Sequence, residues 1–335
     1  MGVLVLGMHR SGTSAVAGAL AALGLEVGPV DDLMAADDAN LEGYFELHSV
    51  ADFDDEVLGY FAGRWDAPPA FAPGWEHDAG TTDFTTRARS LVDSLYATDH
   101  FMLKEPRMSL LLPLWRQVVG DSCCVVIVRD ALEVAQSLQR RNALPISTGL
   151  ALWAAYNRAL LRDLQGARVH LCTYDELLAN PGDTLHGVIE SLRAWGQLPD
   201  VVDAERAIRS VHPGLRRNLG ASGATASPDE IDQLMRFAVA QAGRHDVFDV
   251  GPLPTAGWWE GPVLDERRET LNWALGVIAE LQGEITSLQT ENAILWPRLE
   301  EANRQLEIVW RNVNRVKRLL PQKLYQSFVE KVVKR

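Results

Sequence analysis

A glycine-rich segment close to the start of the chain has residue types and spacing suited to binding phosphate. It reads Gly-Met-His-Arg-Ser-Gly-Thr-Ser over residues 7–14, directly after a short apolar run and directly before a helical pattern. In such a turn, successive backbone N–H groups and the N-terminus of the following helix hold phosphate oxygens. The candidate phosphate-binding residues are Arg10, Ser11, Gly12, Thr13 and Ser14.

The residue at position 13 restricts which phosphate ligand this loop suits. Loops that bind nucleoside triphosphates share the spacing G-x4-G-K-[ST], and their lysine reaches the β- and γ-phosphates. Here Thr13 occupies the lysine position, and Arg10 supplies a cation from the other side of the loop. The threonine in place of this lysine disfavours a kinase-like phosphotransferase, which stays open as an alternative. A non-catalytic nucleotide-binding scaffold with a coiled coil is the other alternative.

A second motif lies in the middle of the chain. Residues 125–130 read Val-Val-Ile-Val-Arg-Asp, so Arg129 follows a buried strand, and Ser137 comes eight residues later in a helical pattern. An arginine at the carboxyl end of a strand and a serine two turns into the next helix can converge on one anion beside the sheet. We therefore predict a second anion-binding pair, separate from the N-terminal loop.

Together these motifs resemble the sulfotransferase superfamily, and the loop at 7–14 closely resembles a bacterial branch of it. The resemblance covers roughly residues 1–220 and implies 3′-phosphoadenosine 5′-phosphosulfate as the sulfuryl donor. It implies that Arg10 stabilises the bridging oxygen as it leaves, and that Arg129 and Ser137 bind the 3′-phosphate. No metal ion is expected, since the transferred group carries one negative charge and catalysis is mainly positioning and charge stabilisation.

A third nucleotide contact of the superfamily is a basic, glycine-containing loop near the end of the domain. Residues 212–218, His-Pro-Gly-Leu-Arg-Arg-Asn, are the match in this chain, although they depart from the family's Arg-Lys-Gly arrangement. The resemblance makes Arg216 and Arg217 candidates for this contact. The alternative is that both are surface charges.

The acceptor hydroxyl needs a base, and a polar insertion at 29–86 offers one. Residues 40–48, Asn-Leu-Glu-Gly-Tyr-Phe-Glu-Leu-His, combine a carboxylate and an imidazole with aromatic side chains, and the bacterial branch carries a similar run. We predict Glu46 as the general base and His48 as the second choice, while a solvated acidic turn is the structural alternative. The bacterial relatives suggest a carbohydrate or glycolipid as the acceptor, while small-molecule and protein tyrosine acceptors stay open.

Residues 104–107, Lys-Glu-Pro-Arg, follow another apolar run and resemble a Lys-Asp-Pro-Arg segment of the same branch. Lys104 is a candidate for contacting the sulfuryl oxygens. Glu105 or Arg107 could orient the acceptor or form a structural ion pair. Four tryptophans could stack on sugar rings or belong to the core: Trp65, Trp75, Trp115 and Trp153.

Apolar runs alternating with helical patterns must position these groups. Strand-like runs at 3–6, 101–103, 125–128 and 169–172 are followed by helical patterns at 13–23, 109–119, 132–141 and 176–179. Alternation of this kind predicts a parallel sheet with both faces covered by helices. The fold class is therefore α/β, with a P-loop NTPase-like sheet over residues 1–250.

The chain changes character after residue 250. Residues 251–263 are rich in Gly and Pro and are predicted to be a linker. Over 264–320, apolar residues recur at three- and four-residue steps, with Asn292 at an a position and Pro297 at an outward position. This pattern predicts a coiled coil and a parallel homodimer, although one amphipathic helix folded back on its own chain fits as well.

Composition adds limits on the partners. The net charge of −13 argues against a general nucleic-acid binder. The segment 321–335 is basic and amphipathic, which favours contact with an anionic membrane surface or a frayed helix end. With no apolar run long enough for a span or a signal peptide, we expect a cytoplasmic protein, peripheral at the inner membrane face if the tail binds lipid. The three cysteines are expected to be reduced core thiols.

Overall fold

The computed structural model describes residues 2–36, 43–120, 123–211, 227–291 and 296–319. Asn40, Arg216, Arg217, Asn292 and the tail at 321–335 lie outside the described residues, so the predictions made for them remain predictions. Side chains are described up to residue 282 of the first C-terminal helix and from 301 to 315 of the second.

A sheet of five strands forms the centre of the fold. The strands are β1 (Gly2–Leu6), β2 (Phe101–Lys104), β3 (Cys123–Val128), β4 (Arg168–Thr173) and β5 (Gly243–His245). Their order is β2-β1-β3-β4-β5, and the first four run parallel while β5 pairs antiparallel with β4. The predicted α/β class and parallel sheet are confirmed. The short strand β5 was not predicted, because its sequence Gly-Arg-His has no apolar pattern.

Helices connect and cover the strands. They are α1 (Thr13–Ala22), α2 (His48–Tyr60), α3 (Thr82–Leu95), α4 (Met108–Val119), α5 (Ala131–Asn142), α6 (Ile146–Asp163), α7 (Tyr174–Ala179), α8 (Pro181–Ala194), α9 (Ala204–Ser210), α10 (Asp229–Val239), α11 (Glu260–Glu291) and α12 (Trp296–Leu319). No helix in the described part of the chain is both long and apolar enough to cross a membrane.

Both faces of the sheet are buried, as a parallel sheet requires. Alternate residues of β1 point to opposite sides, so that Leu4 and Leu6 join one apolar core while Val3 and Val5 join the other. The three cysteines are buried free thiols within these cores, as expected. Trp75, Trp115 and Trp153 are also core residues.

The chain passes from β1 to β2 on one side and continues with β3 on the other. Between such neighbours the connections leave in opposite directions, and ligands of open α/β sheets bind in the crevice outside the carboxyl ends of these strands. The loop at 7–14 follows β1, the segment 104–107 follows β2, and Arg129 follows β3. The topology therefore brings all three predicted motifs to one edge of the sheet.

The C-terminal helices differ in part from the prediction. Helix α11 begins at Glu260, inside the segment predicted to be a linker, and packs on α6. Helices α11 and α12 pack against each other within one chain, and Ile278, Leu281, Leu306, Val309 and Val313 line the crevice between them. The apolar pattern over 264–320 thus pairs two helices of the same chain, which was the alternative to an intermolecular coiled coil. A parallel homodimer stays a prediction.

Candidate functional site

A cavity of about 830 Å³ lies at the carboxyl edge of the sheet and brings most of the predicted site residues together. The predicted residues that line it are Arg10, Gly12, Thr13, Ser14, Glu46, His48, Lys104, Arg129 and Ser137. Ser11 is buried under the loop, where its N–H donates to the carbonyl of Met8 at 3.1 Å.

Positive charge is concentrated around this cavity in a protein of net charge −13. Among the described residues that line it, six are arginine or lysine and one, Glu46, is an acid. Clefts lined by one sign of charge focus the field and attract ligands of the opposite sign. The cavity is therefore suited to a ligand with several negative charges.

The loop between β1 and α1 owes its shape to two backbone positions. Arg10 has a φ of 69° and Gly12 a φ of 102°, so the chain turns sharply before helix α1. A Cβ atom on Gly12 would lie 2.4 Å from the ring of Tyr174, which explains the need for glycine there. On the far side, the N–H of Gly7 donates to the hydroxyl of Ser109 at 3.1 Å.

The two motifs found in the sequence are in direct contact. Arg10 Nε donates to Ser137 Oγ at 2.9 Å, and Arg129 Nη1 donates to the carbonyl of Arg10 at 3.1 Å. The Arg129 guanidinium also lies over the ring of Tyr174, 4.3 Å from its centre. Residues more than a hundred positions apart therefore form one cluster of cations and hydroxyls.

Glu133 holds Arg129 in place and was missed in the sequence. Its Oε2 accepts from Arg129 Nε at 3.0 Å and from Nη2 at 2.8 Å. With the bond to Arg10, three of the five N–H groups of this guanidinium are used within the protein. The sequence did carry a signal for this ion pair, since Glu133 lies four residues after Arg129 at the start of helix α5.

Lys104 and Glu46 form a buried ion pair in the wall of the cavity. The Lys104 ammonium contacts Glu46 Oε1 and donates to the carbonyl of Tyr44 at 3.0 Å and to Ser14 Oγ at 3.3 Å. Lys104 and Glu46 are only 3% and 8% exposed. The predicted base therefore lies in the cavity with a cation on it, whereas His48 lies exposed at the start of α2.

A second buried network lies behind this pair. Glu105 is fully buried and accepts from the backbone N–H of Arg107 at 2.6 Å, and it also pairs with the Arg107 guanidinium. Arg107 Nε and Nη2 donate to Asp55 at 2.7 and 3.0 Å. Of the two roles considered for Glu105 and Arg107, the structural ion pair is present, and Arg107 also lines the cavity.

Asp54 and Glu105 lie against each other in this network. Burial, and next the negative charge of Glu105, hold the pKa of Asp54 well above its ordinary value, while burial raises the pKa of Glu105 to about 7. Asp54 Oδ1 accepts from Trp115 Nε1 at 2.8 Å, but Oδ2 has no other hydrogen-bond partner among the described residues. A proton held between Asp54 and Glu105 would let one carboxyl group donate to the other.

We expect Asp54→Asn to remove a pH dependence of stability. The unfolded chain releases the Asp54 proton near pH 4, whereas the folded chain retains it to higher pH. The free energy of unfolding therefore falls as the pH rises above about 4, for as long as the folded chain keeps the proton. For one proton the slope is at most about 1.4 kcal/mol per pH unit. Asparagine keeps the donor and does not titrate, so the free energy of unfolding of the variant should rise relative to wild type between about pH 5 and pH 8. Urea denaturation at both pH values measures this.

Asp52→Asn is the matched control for this prediction, because Asp52 is exposed on the same helix. Its difference from wild type should be nearly the same at both pH values. An equally constant difference for Asp54→Asn would show that the buried pair holds no extra proton.

His9 is a cavity residue that the motif did not single out. Its ring lies 4.7 Å from that of Trp65 and 5.8 Å from that of Tyr156. Burial, and after it the charges of Arg107, Lys104, Arg141 and Arg10, keep the pKa of His9 well below its ordinary value. The imidazole is therefore neutral near pH 7, and it adds a polar group to the cavity without adding charge.

Comparisons with known proteins add distant structural similarity. No family model matches the chain, and no curated protein matches it significantly. The sulfotransferase domain from the curacin biosynthetic pathway is 14% identical, with a TM-score of 0.35 over 79% of this chain and 96% of that one. The sulfotransferase domain from the Synechococcus PCC 7002 olefin synthase is 17% identical, with a TM-score of 0.40 over 81% and 94%.

Both solved structures are sulfotransferase domains. The identities and TM-scores are too low to transfer a substrate or a residue role to this chain. The chemistry proposed below therefore rests on the cavity and its contacts.

Proposed function

We propose that this protein is a sulfotransferase, which moves the sulfuryl group of 3′-phosphoadenosine 5′-phosphosulfate to an acceptor hydroxyl. The observation that carries the proposal is the contact of Arg10 with Ser137 in a cavity lined by six cations. This contact supports a role in phosphate binding for the loop at 7–14, which lacks the triphosphate lysine, and a second anion-binding role for Arg129 and Ser137. A donor with phosphate groups at both its 5′ and 3′ ends matches two such sites.

The predicted site residues of the cavity take different parts in this reaction. The loop N–H groups hold the 5′ phosphosulfate, and Arg129 with Ser137 holds the 3′-phosphate. The acceptor oxygen forms a bond to sulfur as the bond from sulfur to the bridging oxygen breaks, and the electron pair of that bond stays on the bridging oxygen. Arg10 and Lys104 stabilise this charge, which is the main requirement of a loose in-line transfer.

We assign the acceptor proton to Glu46. Its carboxylate lies in the cavity wall with Lys104, and a donor oxygen that draws Lys104 away would leave the carboxylate free to accept a proton. His48 lines the same cavity and is the second candidate. A carbohydrate or glycolipid hydroxyl is the acceptor we propose.

The nucleotide preference tests the proposal. Adenosine 3′,5′-bisphosphate should bind without Mg²⁺ and more tightly than ADP. Arg129→Ala should weaken it by about 10- to 100-fold, because a charged hydrogen-bond donor is lost and Glu133 is left beside the phosphate. Isothermal titration of both nucleotides, with and without Mg²⁺, measures these affinities.

Arg87→Ala is the matched control, since Arg87 forms a similar two-bond pair with Glu56 on the surface. It should leave bisphosphate affinity unchanged. Tighter binding of ADP with Mg²⁺, or a bisphosphate affinity that Arg129→Ala leaves unchanged, would favour the kinase-like alternative. One observation favours the kinase-like alternative. The Lys104 ammonium lies 3.3 Å from Ser14 Oγ, so a lysine from β2 reaches the loop at 7–14 although the loop itself has none.

A further inference from the structure

A second cavity, of about 420 Å³, lies against the first. Trp65, Arg141 and Asn142 line both, so the two cavities share a wall. The opposite wall of the second cavity consists of residues from α11 and α12, among them Leu271, Leu275, Trp310 and Asn314. The C-terminal helices therefore enclose a space that adjoins the proposed donor site.

Ion pairs fix this wall to the rest of the protein. Arg267 of α11 pairs with Asp66 of the insertion, and the side chains of both are 12% exposed or less. Arg158 of α6 donates to both carboxylate oxygens of Glu260 at 3.2 Å. Arg268 Nη1 donates to the carbonyl of Pro68 at 2.6 Å. Such anchored contacts hold the second cavity at a defined position beside the first.

The lining of the second cavity combines flat aromatic surfaces with hydrogen-bonding groups. Eight of its sixteen lining residues are polar or charged, including Asn142, Thr148 and Asn314. Trp65 and Trp310 supply aromatic rings, and Trp310 remains 37% exposed although it also packs against α11. A volume of this size lies within the range of small-molecule sites, about 300 to 1,000 Å³.

We propose that the second cavity binds a sugar ring of the acceptor. A pyranose has apolar C–H faces that fit aromatic rings and a rim of hydroxyl groups that need amide and hydroxyl partners. An acyl chain would displace water from the polar side chains of the lining without offering them a hydrogen bond, which costs free energy. The inference rests on the proposed function, because the shared wall is what places a sugar hydroxyl next to the donor cavity.

Sugar binding in the absence of donor tests this inference. Maltotriose, triacetylchitotriose, decanoate and octyl glucoside are titrated at millimolar concentration into the full chain, with binding measured by saturation-transfer NMR and calorimetry. At least one trisaccharide should bind saturably. Trp310→Ala should weaken it about tenfold or more, since aromatic anchors dominate such sites. Asn314→Ala should weaken it as well, and Asn314 is exposed, so that change does not threaten folding.

Trp258→Ala is the control, because Trp258 is 84% exposed and lines neither cavity. It should leave sugar affinity unchanged. The inference is overturned if neither trisaccharide binds, if only decanoate and octyl glucoside bind, or if sugar affinity is indifferent to both Trp310 and Asn314. Because no donor is present, these outcomes are independent of bisphosphate binding. A failure of the proposed function and a failure of this inference are therefore distinguishable.

Discussion

Lys104→Met is expected to lower the free energy of unfolding by about 3 to 5 kcal/mol. The reason is that Lys104 and Glu46 are both buried, and removal of the cation leaves the buried carboxylate without its charge partner. An isolated buried charge costs far more than the net contribution of the pair itself. Urea denaturation at neutral pH measures the difference.

The double change Lys104→Met with Glu46→Gln separates this mechanism from a general packing defect. It removes the unpaired charge and should recover most of the lost free energy of unfolding. Arg87→Ala provides the comparison with an exposed pair and should cost about 1 kcal/mol or less. A double variant as unstable as Lys104→Met would show that the ion pair is not the cause.

Arg10→Ala is expected to lower the rate of sulfuryl transfer by about 10²- to 10³-fold, the typical cost of removing one group aimed at developing charge. Its effect on bisphosphate affinity should be smaller, since the loop N–H groups and Arg129 remain. The measurement is a single-turnover assay with saturating donor, in which chromatography quantifies the bisphosphate released over time. Water or an added hydroxyl compound serves as the acceptor.

Arg140→Ala is the matched control for Arg10, because Arg140 also lines the cavity but is exposed at the end of α5. It should lower the rate much less. If Arg10→Ala weakens donor binding and leaves the single-turnover rate unchanged, Arg10 binds the donor but does not stabilise the leaving group.

The sheet could be predicted because its signals are local. Each run of β1 to β4 is apolar and continuous, and a helical pattern follows it, so the order of elements along the chain determines a parallel sheet. Strand β5 could not be predicted in this way, since it is stabilised by its pairing with β4 and not by its own sequence.

The site was partly predictable for a similar reason. Arg10 and Arg129 stand at fixed positions in local motifs, and strand ends meet at one edge of the sheet. The Lys104 pair with Glu46 and the Asp54 pair with Glu105 join residues about fifty to sixty positions apart. No spacing rule connects such residues, so neither pair could be predicted from the sequence, and neither could the raised pKa of Asp54 and Glu105.

The apolar pattern of the C-terminal helices could be recognised in the sequence, but the pattern did not determine which helix packs against it. A heptad pattern specifies a stripe to be buried and does not specify whether the covering helix comes from the same chain. In the structure α11 ends at Glu291 and α12 begins at Trp296, and Leu281 lies beside Leu306 and Val309 of the same chain.

The anchor between Asp66 and Arg267 also sets an order of events during synthesis, because the two residues are 201 positions apart. At translation rates of about 5 to 20 residues per second, Arg267 emerges on the order of ten seconds or more after Asp66. Trp310 emerges later still. On the ribosome, the wall of the second cavity is therefore the last part of the site to form, well after the loop at 7–14 has been made.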